Sequence, residues 1–281
     1  MPNSQPRVTK NEKREAAREK ARILREQQRK HNALRKMWTT IGVTLGSLGI
    51  IAVVLIIILT GSTPKAEAVS PLNMASHGVV VGSGFEVIPT GSLPAGSAPI
   101  PTQPSTDGKT QIVVYIDYLC PFCNQFEQAQ TAQLEAWMND NKVTVEYHPV
   151  AILSEYSVRA ANAASCVVNY APESFWDVNK ALYANQPAES VSGGLPNKTL
   201  LSIIKDLDVA HYTEIEKCVN DAQFSDWIVD ATSYVTSNPI AETNAGTLTS
   251  TPTIIVNGVK FDGNPSDTAS FKDFVESTFV Q

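Results

Sequence analysis

The feature that most constrains the fold is a pair of cysteines, Cys120 and Cys123, placed between a strand pattern and a helix pattern. Residues 111–116 before the pair are rich in β-branched and aromatic side chains and predict a buried strand. After the pair, apolar side chains recur at helical spacing, which predicts an amphipathic helix that begins at Cys120 or Pro121. The apolar residues of that helix are Phe126, Leu134, Trp137 and Met138. Proline suits the first helical position, because an amide hydrogen there has no partner within the helix.

A thiol at the N-terminus of a helix differs from an ordinary thiol. The first-turn amide groups and the positive end of the helix dipole stabilise the thiolate, so we expect a lowered pKa for Cys120. Cys123 lies one turn further along and is expected to be less exposed. These properties predict that Cys120 is the nucleophile and Cys123 the resolving thiol of a dithiol–disulfide exchange, with the disulfide form acting as an oxidant.

Two other interpretations of the pair stay open. As a purely structural disulfide, the pair closes a very short loop, which restricts the unfolded chain much less than a long loop does. As half of a zinc site, it lacks partners, because Cys166 and Cys218 are isolated and no histidine has ligand spacing to the motif. We therefore expect no metal site. The histidines considered are His31, His77, His148 and His211.

The rest of the outer part of the chain predicts an α/β domain. Residues 143–150 form a second strand pattern, residues 154–237 are mostly helical, and residues 253–256 return to a strand. Asn257-Gly258 is a hairpin signal, and residues 78–88, which contain Val79-Val80-Val81, are expected to form a short strand. A last helix is expected to carry four apolar residues on one side: Phe271, Phe274, Val275 and Phe279.

The remaining cysteines, Cys166 and Cys218, both fall within the predicted helical insert. We expect them to form a structural disulfide, because a bridge across a long loop stabilises a domain. Two free buried thiols, or a second redox pair, are the alternatives.

The N-terminal part of the chain carries a membrane signal. No residue from Met37 to Pro64 is charged, and residues 41–59 are almost wholly apolar. About 20 apolar residues in a helix span the hydrocarbon layer of a membrane, so we expect one transmembrane helix. Residues 1–37 hold 12 Lys and Arg against 4 Asp and Glu, although the whole chain has a net charge of -6. This asymmetry predicts a cytoplasmic N-terminus and an acidic extracytoplasmic body, which argues against a nucleic-acid partner.

These patterns divide the chain into a basic cytoplasmic segment (1–37), a transmembrane helix (38–60), a linker (61–76) and an extracytoplasmic domain (77–281) with its helical insert at about 154–237. Ala66-Glu67-Ala68 has the small-x-small pattern of a signal-peptidase site, but the apolar segment is longer than a signal-peptide core. We expect an uncleaved signal anchor in the cell membrane, with cleavage after Ala68 as the alternative.

Three features together resemble a known family. They are Asp117-Tyr118-Leu119-Cys120-Pro121-Phe122-Cys123 after a strand, the helical insert, and Thr251-Pro252 directly before the next strand. This combination resembles the DsbA-like thiol:disulfide oxidoreductases of the thioredoxin superfamily, over roughly residues 73–281. The membrane-anchored arrangement is similar to that of actinobacterial members. The resemblance implies an α/β thioredoxin fold with a helical insertion, preceded by one transmembrane helix.

The resemblance also implies the composition of the site. Pro121 and Phe122 are expected to lie with the two cysteines opposite Thr251 and Pro252. Pro252 is expected in cis, with the backbone of Thr251 pairing with an extended substrate; a strand-start proline in trans is the alternative. The reaction needs no bound cofactor. The implied partners are reduced secreted proteins as substrates and a membrane reoxidant of the DsbB or VKOR kind.

Two positions depart from the family pattern. Phe122 stands where the strongly oxidising member has a histidine, which removes one source of thiolate stabilisation. Val114 stands six residues before the first cysteine, where thioredoxin-fold enzymes often carry a buried acid. Asp117 and Glu146 are therefore the candidates for a proton relay, with a turn residue as the alternative for Asp117, and we expect His148 to be packed within its strand.

The sequence thus predicts a membrane-tethered enzyme that introduces disulfides into secreted or cell-surface proteins through Cys120 and Cys123. A disulfide reductase or isomerase is one alternative, because the direction of exchange depends on a few kcal/mol. The other is a non-redox holdase that binds unfolded secreted chains in a groove around Phe122 and Pro252.

Overall fold

The computed structural model describes residues 70–94, 96–103, 108–190 and 193–279. All of these residues belong to one of the two units into which the chain divides, Pro64–Gln281. The expected basic segment, transmembrane helix, cleavage motif and most of the linker lie outside the described residues. Among the helices in the described ranges, none is both long and apolar enough to cross a membrane.

A five-stranded mixed sheet forms the centre of this part of the chain, in the order β1-β3-β2-β4-β5. β2 (Thr110–Ile116) and β3 (Val143–Pro149) are parallel, and β1 (Val79–Val81) pairs antiparallel with β3. β4 (Thr253–Val256) runs antiparallel to β2 and forms a hairpin with β5 (Val259–Lys260). Because β4 is antiparallel to β2, β4 begins at the edge of the sheet where β2 ends.

Seven α-helices surround the sheet in the described residues. One helix joins β2 to β3, five lie in the connection between β3 and β4, and the last follows the hairpin, which confirms the predicted order of elements. The helices are α1 (Pro121–Asn139), α2 (Glu155–Tyr170), α3 (Phe175–Ala184), α4 (Asn197–Lys205), α5 (Tyr212–Asn220), α6 (Ser225–Ser237) and α7 (Thr268–Glu276).

Strand alternation gives the sheet two different faces. Ile112, Val114 and Ile116 of β2 point into the main core, which also contains both cysteines of the motif. Val113 and Tyr115 point to the opposite face and pack in a smaller apolar cluster. A side chain on the second face is therefore separated from the cysteines by the sheet.

Helices α1 and α7 pack together over the main-core face. Phe126 of α1 meets Phe271 of α7 edge to face, with ring centroids 5.6 Å apart. The prediction that the last helix includes Phe279 is wrong, because α7 ends at Glu276. The hydroxyls of Ser277 and Thr278 donate to carbonyls of the last turn, and this bonding satisfies the helix end before Phe279 is reached.

The helical insert is held together by close packing and by one covalent bridge. The alanines of α2 are fully buried, which lets neighbouring helices approach closely. Cys166 of α2 and Cys218 of α5 form a disulfide, with the sulfurs 2.01 Å and the Cα atoms 5.9 Å apart. The alanines are Ala160, Ala161, Ala163 and Ala164.

Replacing Cys166 and Cys218 together by alanine is expected to lower the free energy of unfolding by about 4 kcal/mol. The bridge spans 52 residues, and in the chain-entropy model a loop of that length restricts the unfolded state by about this amount. Urea unfolding of the full-length chain, followed by tryptophan fluorescence, measures the loss. The matched control replaces Cys120 and Cys123, whose loop is far shorter. A loss below about 1 kcal/mol in the Cys166/Cys218 variant would contradict a stabilising bridge.

Candidate active site

Cys120 lies at the junction of β2 and α1. It is the N-cap residue of α1, with an extended backbone (φ -69°, ψ 117°), and Pro121 begins the helix. The Cys120 carbonyl accepts the amide hydrogen of Asn124 at 3.2 Å, so this carbonyl takes part in the helix while the first-turn amides are left for other acceptors. The Cys120 side chain therefore lies where the helix offers N–H donors.

The start of β4 completes the site. The Thr251–Pro252 peptide bond is cis. The Cys120 thiol donates a hydrogen bond to the Thr251 carbonyl oxygen, with an Sγ···O distance of 3.2 Å. The register of β4 against β2 brings Thr251 and Pro252 to the edge of the sheet where Cys120 lies. The structure thus brings the two cysteines and the Thr251–Pro252 pair to one place.

The two thiols are unequal, although neither forms a disulfide. A hydrogen bond with the Cys123 thiol lowers the pKa of the Cys120 thiol to about 7; burial opposes this shift, and Thr251 and the first-turn amides assist it. Burial, followed by the hydrogen bond and charge of Cys120, raises the pKa of Cys123 well above its ordinary value. Cys120 is 5% exposed and Cys123 is 0% exposed. Near neutral pH, Cys120 is therefore the ionisable sulfur and Cys123 keeps its proton.

Phe122 gives the site an apolar surface. Its side chain, in the first turn of α1, is 59% exposed, and its amide is one of the donors that stabilise the Cys120 thiolate. Pro121 beside it is partly buried. A large exposed apolar ring next to a reactive sulfur offers a contact for an apolar side chain of another protein.

Asp117 fixes the turn that leads into α1. Its carboxylate accepts hydrogen bonds from the amides of Leu119 (2.8 Å), Ile152 (2.8 Å) and Leu153 (3.1 Å), and its carbonyl accepts from the Cys120 amide (2.9 Å). Burial raises the pKa of Asp117, and these bonds oppose the rise. Both carboxylate oxygens are occupied by backbone donors, which favours the turn role over the proton relay.

Gln186, which follows α3, is a site residue that the sequence analysis missed. Its side-chain amide donates to the carbonyls of Tyr118 and Cys120, both at 3.0 Å, and its side-chain oxygen accepts from Asn124 at 3.2 Å. The helical insert therefore holds the backbone on both sides of the turn before α1. Nothing in the local sequence distinguishes Gln186 from a solvated glutamine, so only the tertiary structure reveals this contact.

Glu146 and His148 lie on the second face of the sheet. Glu146 Oε1 is 2.9 Å from His148 Nε2 and accepts from the hydroxyls of Ser76 (2.5 Å) and Thr102 (3.0 Å). Burial alone would raise the pKa of Glu146, but the charge of His148 and these hydrogen bonds lower it. The pair lines a cavity of about 320 Å³ together with Tyr115. The described hydrogen bonds of Glu146 join it to none of the residues around the cysteines, so it is not placed to relay their protons.

Glu127 is a second residue that the sequence analysis missed. It lies one helical turn after Cys123 on the buried side of α1 and is 3% exposed. Burial raises its pKa to about 7. The i, i+4 spacing from Cys123, together with the apolar neighbours Phe126 and Leu134 on the same side, was the signal in the sequence that places this carboxyl in the core.

The polar groups around the thiols suit sulfur chemistry. Among the described residues, no group of three or more His, Cys, Asp or Glu side chains is arranged to hold a metal ion. The donors to Cys120 are a thiol, Thr251 and backbone amides. Dithiol–disulfide exchange needs a thiol that ionises readily and a resolving thiol. Cys120 and Cys123 have these two properties.

Comparison with protein families gives one match. The family model described as thioredoxin matches residues 102–277, which is more than half of the chain. Curated proteins give no match in sequence.

Several solved structures are similar to this chain. Oxidised DsbA of Mycobacterium tuberculosis is 25% identical, with a TM-score of 0.54, over 72% of this chain and 92% of that one. Reduced DsbG of the same organism, described as a disulfide bond oxidoreductase, is 27% identical, with a TM-score of 0.53, over 65% and 84%. MdbA of Actinomyces oris, a thiol-disulfide oxidoreductase, is 18% identical, with a TM-score of 0.55, over 72% and 89%; this likeness shows the fold alone.

We predict that Cys120 of the reduced, full-length chain reacts with iodoacetamide with a half-maximal rate near pH 7, because its pKa is about 7. Cys123 is expected to stay unlabelled under the same conditions.

Replacing Cys123 by alanine removes the largest cause of the lowered Cys120 pKa, so the pH of half-maximal labelling of Cys120 should move upward. Replacing Cys123 by serine, which keeps a hydrogen-bond donor, should move this midpoint less. Mass mapping of labelled peptides across a pH series gives both midpoints. A wild-type midpoint at the value of an ordinary thiol, about 8.5, would refute the assigned thiolate.

Proposed function

This chain belongs to the thioredoxin family and is a protein disulfide oxidoreductase, and from that premise we propose that it introduces disulfides into secreted or cell-surface proteins through Cys120 and Cys123. The inequality of the two thiols carries the exchange reaction, and the likeness to DsbA of Mycobacterium tuberculosis carries its direction. Cys120 combines a pKa of about 7 with a position against Thr251 at the sheet edge, while Cys123 is fully buried behind it.

The exchange begins with the Cys120–Cys123 disulfide. A substrate thiolate attacks Cys120 Sγ, the bond between the two cysteines breaks, and Cys123 leaves as a thiolate that takes up a proton. A second substrate thiolate then attacks the substrate sulfur of the mixed disulfide, and Cys120 leaves as a thiolate. The substrate loses two electrons and gains a disulfide. A low pKa makes Cys120 a good leaving group in the second step.

The start of β4 is the proposed place for the substrate backbone. The Thr251 carbonyl already accepts a hydrogen bond from the Cys120 thiol, so a backbone amide of an extended substrate at that place would lie beside the reacting sulfur. Recognition by strand addition depends on main-chain bonds and tolerates many sequences. The exposed ring of Phe122 adds an apolar contact that suits unfolded chains, which expose apolar side chains.

A disulfide reductase or isomerase with the same site is the second candidate. The specific observation in its favour is the pKa of about 7 at Cys120, because a reducing thioredoxin has a similar value whereas a strong oxidant has a value near 3.5. Phe122 in place of a polar residue between the cysteines points the same way. The likeness to DsbA of Mycobacterium tuberculosis favours the donor of disulfides.

We further propose that the domain works outside the cell membrane. The apolar residues 41–59 would anchor it, and the cations before them would hold the N-terminus in the cytoplasm. The Cys166–Cys218 disulfide supports this location, because such bridges persist in oxidising compartments. The likeness to mycobacterial proteins supports an actinobacterial type. Turnover would then need a reoxidant in the same membrane, of the DsbB or VKOR kind.

Oxidative refolding tests the proposed direction. The oxidised full-length chain is expected to give its disulfide to a reduced, unfolded test protein and to regenerate that protein's activity. A Cys120→Ser variant should refold it no faster than the uncatalysed rate. A Cys123→Ser variant has no internal disulfide to give and should also leave the reduced test protein unchanged. Offered a test protein that still holds a disulfide, this variant should attack it through Cys120 and accumulate the mixed disulfide, because the resolving thiol is missing.

The variant pair Cys166→Ala/Cys218→Ala is the control, since it removes a disulfide without touching the exchanging pair. Full activity of the Cys120→Ser variant would contradict the proposal and support a holdase. If the reduced chain opened disulfides of the test protein while the oxidised chain formed none, the reductase would be the correct assignment.

A further inference from the structure

The end of α3 supplies hydrogen-bond donors to the backbone around Cys120. Gln186 lies two residues beyond α3, and its backbone amide donates to the Tyr183 carbonyl at 3.1 Å, which holds it against the helix end. The side-chain NH2 group of a glutamine has two hydrogens. In Gln186 they reach the carbonyls of Tyr118 and Cys120, both at 3.0 Å. The Tyr183 hydroxyl adds a bond to the Asp117 carbonyl at 3.4 Å.

These bonds fix the peptide groups on both sides of Cys120. The carbonyl of Cys120 belongs to the peptide group that follows it, so the bond from Gln186 holds the ψ angle of Cys120, which is 117°. The Cys120 carbonyl also accepts the backbone amide of Asn124, at the longer distance of 3.2 Å. On the other side, Gln186 holds the Tyr118 carbonyl, and the Cys120 amide donates to the Asp117 carbonyl at 2.9 Å.

The ψ angle of Cys120 decides how its sulfur faces the helix. An N-cap residue needs an extended backbone for its side chain to reach the amides of the second and third helical residues. In α1 these residues are Phe122 and Cys123, and their amides help to lower the pKa of Cys120. Rotation about ψ would turn these amides away from Cys120 Sγ. The bond from Gln186 therefore acts on the same geometry that stabilises the thiolate.

A row of amide side chains fixes the orientation of Gln186. Its side-chain oxygen accepts from Asn124 Nδ2 at 3.2 Å, and Asn124 Oδ1 accepts from Gln128 Nε2 at 3.0 Å. With the oxygen turned toward α1, the NH2 group faces the two carbonyls, which can only accept. Gln128, at the outer end of the row, is exposed and has no direct bond to the turn.

We propose that Gln186 is a positioning residue for the exchange reaction: by holding the Cys120 carbonyl, it keeps the Cys120 sulfur facing the first-turn amides of α1 and so makes Cys120 a better leaving group. This inference deepens the proposed function and rests on it. In the second exchange step, a bond forms between the two substrate sulfurs, the bond from substrate to Cys120 breaks, and its electron pair stays on Cys120 Sγ. Gln186 transfers neither electrons nor protons in this step; it acts only on the stability of the departing thiolate.

The test is the pH dependence of Cys120 labelling by iodoacetamide in the reduced, full-length chain. Gln186→Met keeps the length of the side chain and removes both donors. We expect its midpoint to move upward by at least about half a pH unit from the wild-type value near 7, which lowers the labelling rate at pH 6.5 about 2.6-fold. Gln128→Met, the same substitution at the outer end of the amide row, is the matched control and should keep the wild-type midpoint.

A second variant separates the donors from packing. Gln186→Glu keeps the shape of the side chain and an acceptor for Asn124, but places an oxygen where the NH2 group was, so its midpoint should move upward at least as far as that of Gln186→Met. Urea unfolding of each variant identifies the conditions under which it is folded, and labelling is compared only there. A Gln186→Glu midpoint equal to that of the wild type would assign any effect of Gln186→Met to packing and overturn the proposal.

A purely structural role for Gln186 has a different signature. It would lower the free energy of unfolding of Gln186→Met and leave the Cys120 midpoint in place, and this result would overturn the proposal. An equal shift in Gln128→Met would also overturn it, because that residue does not touch the Cys120 carbonyl. If either result is found while the wild type still gives its disulfide to a reduced test protein, this inference fails and the proposed function stands. If the wild type gives no disulfide, the proposed function fails whatever the midpoints are.

Discussion

The chemistry of this protein depends on one turn of backbone, which carries the chain from the end of β2 into the first turn of α1. Three separate parts of the fold hold that turn. The Asp117 carboxylate ties it to the loop after β3, Gln186 ties it to the helical insert, and the Thr251 carbonyl meets the Cys120 sulfur from the start of β4. The sulfur is thereby kept at the N-terminus of a helix, where amide donors stabilise its thiolate.

The placement at a helix N-terminus also explains why two cysteines of one motif behave differently. Cys120 receives donors and lies at the edge of the sheet, whereas Cys123, one turn deeper, is buried and keeps its proton. A pKa of about 7 leaves Cys120 half ionised at pH 7, and this ionisation favours the dithiol by only about 0.4 kcal/mol relative to an ordinary thiol. The oxidising strength must therefore depend mainly on how well the folded site accommodates the reduced sulfurs, including the contact of Cys120 with Thr251.

Local patterns in the sequence predict much of this architecture. The strand before the cysteines, the helix after them, the hairpin at Asn257 and the order of elements follow from the periodicity of apolar residues and from turn chemistry, and the structure confirms them. The thioredoxin fold with a helical insertion is likewise confirmed. The membrane anchor stays a prediction, because residues 38–60 lie outside the described ranges.

The contacts that finish the site were beyond the reach of local patterns. Gln186 and Asp117 act through partners far away in the sequence, and nothing in the residues next to them specifies those partners. Glu146 has the right chemistry for a relay but lies on the wrong face of the sheet, a distinction that depends on strand register. Glu127 was within reach of sequence reasoning, since its helical spacing from Cys123 places it in the core.

The redox potential of the full-length chain at pH 7, measured against reduced and oxidised glutathione, tests most directly whether this site gives its disulfide away. We predict a potential closer to about -120 mV, the value of a strong disulfide donor, than to about -270 mV, the value of a reducing thioredoxin. A potential at or below about -270 mV would contradict the proposed direction and assign the same site to disulfide reduction.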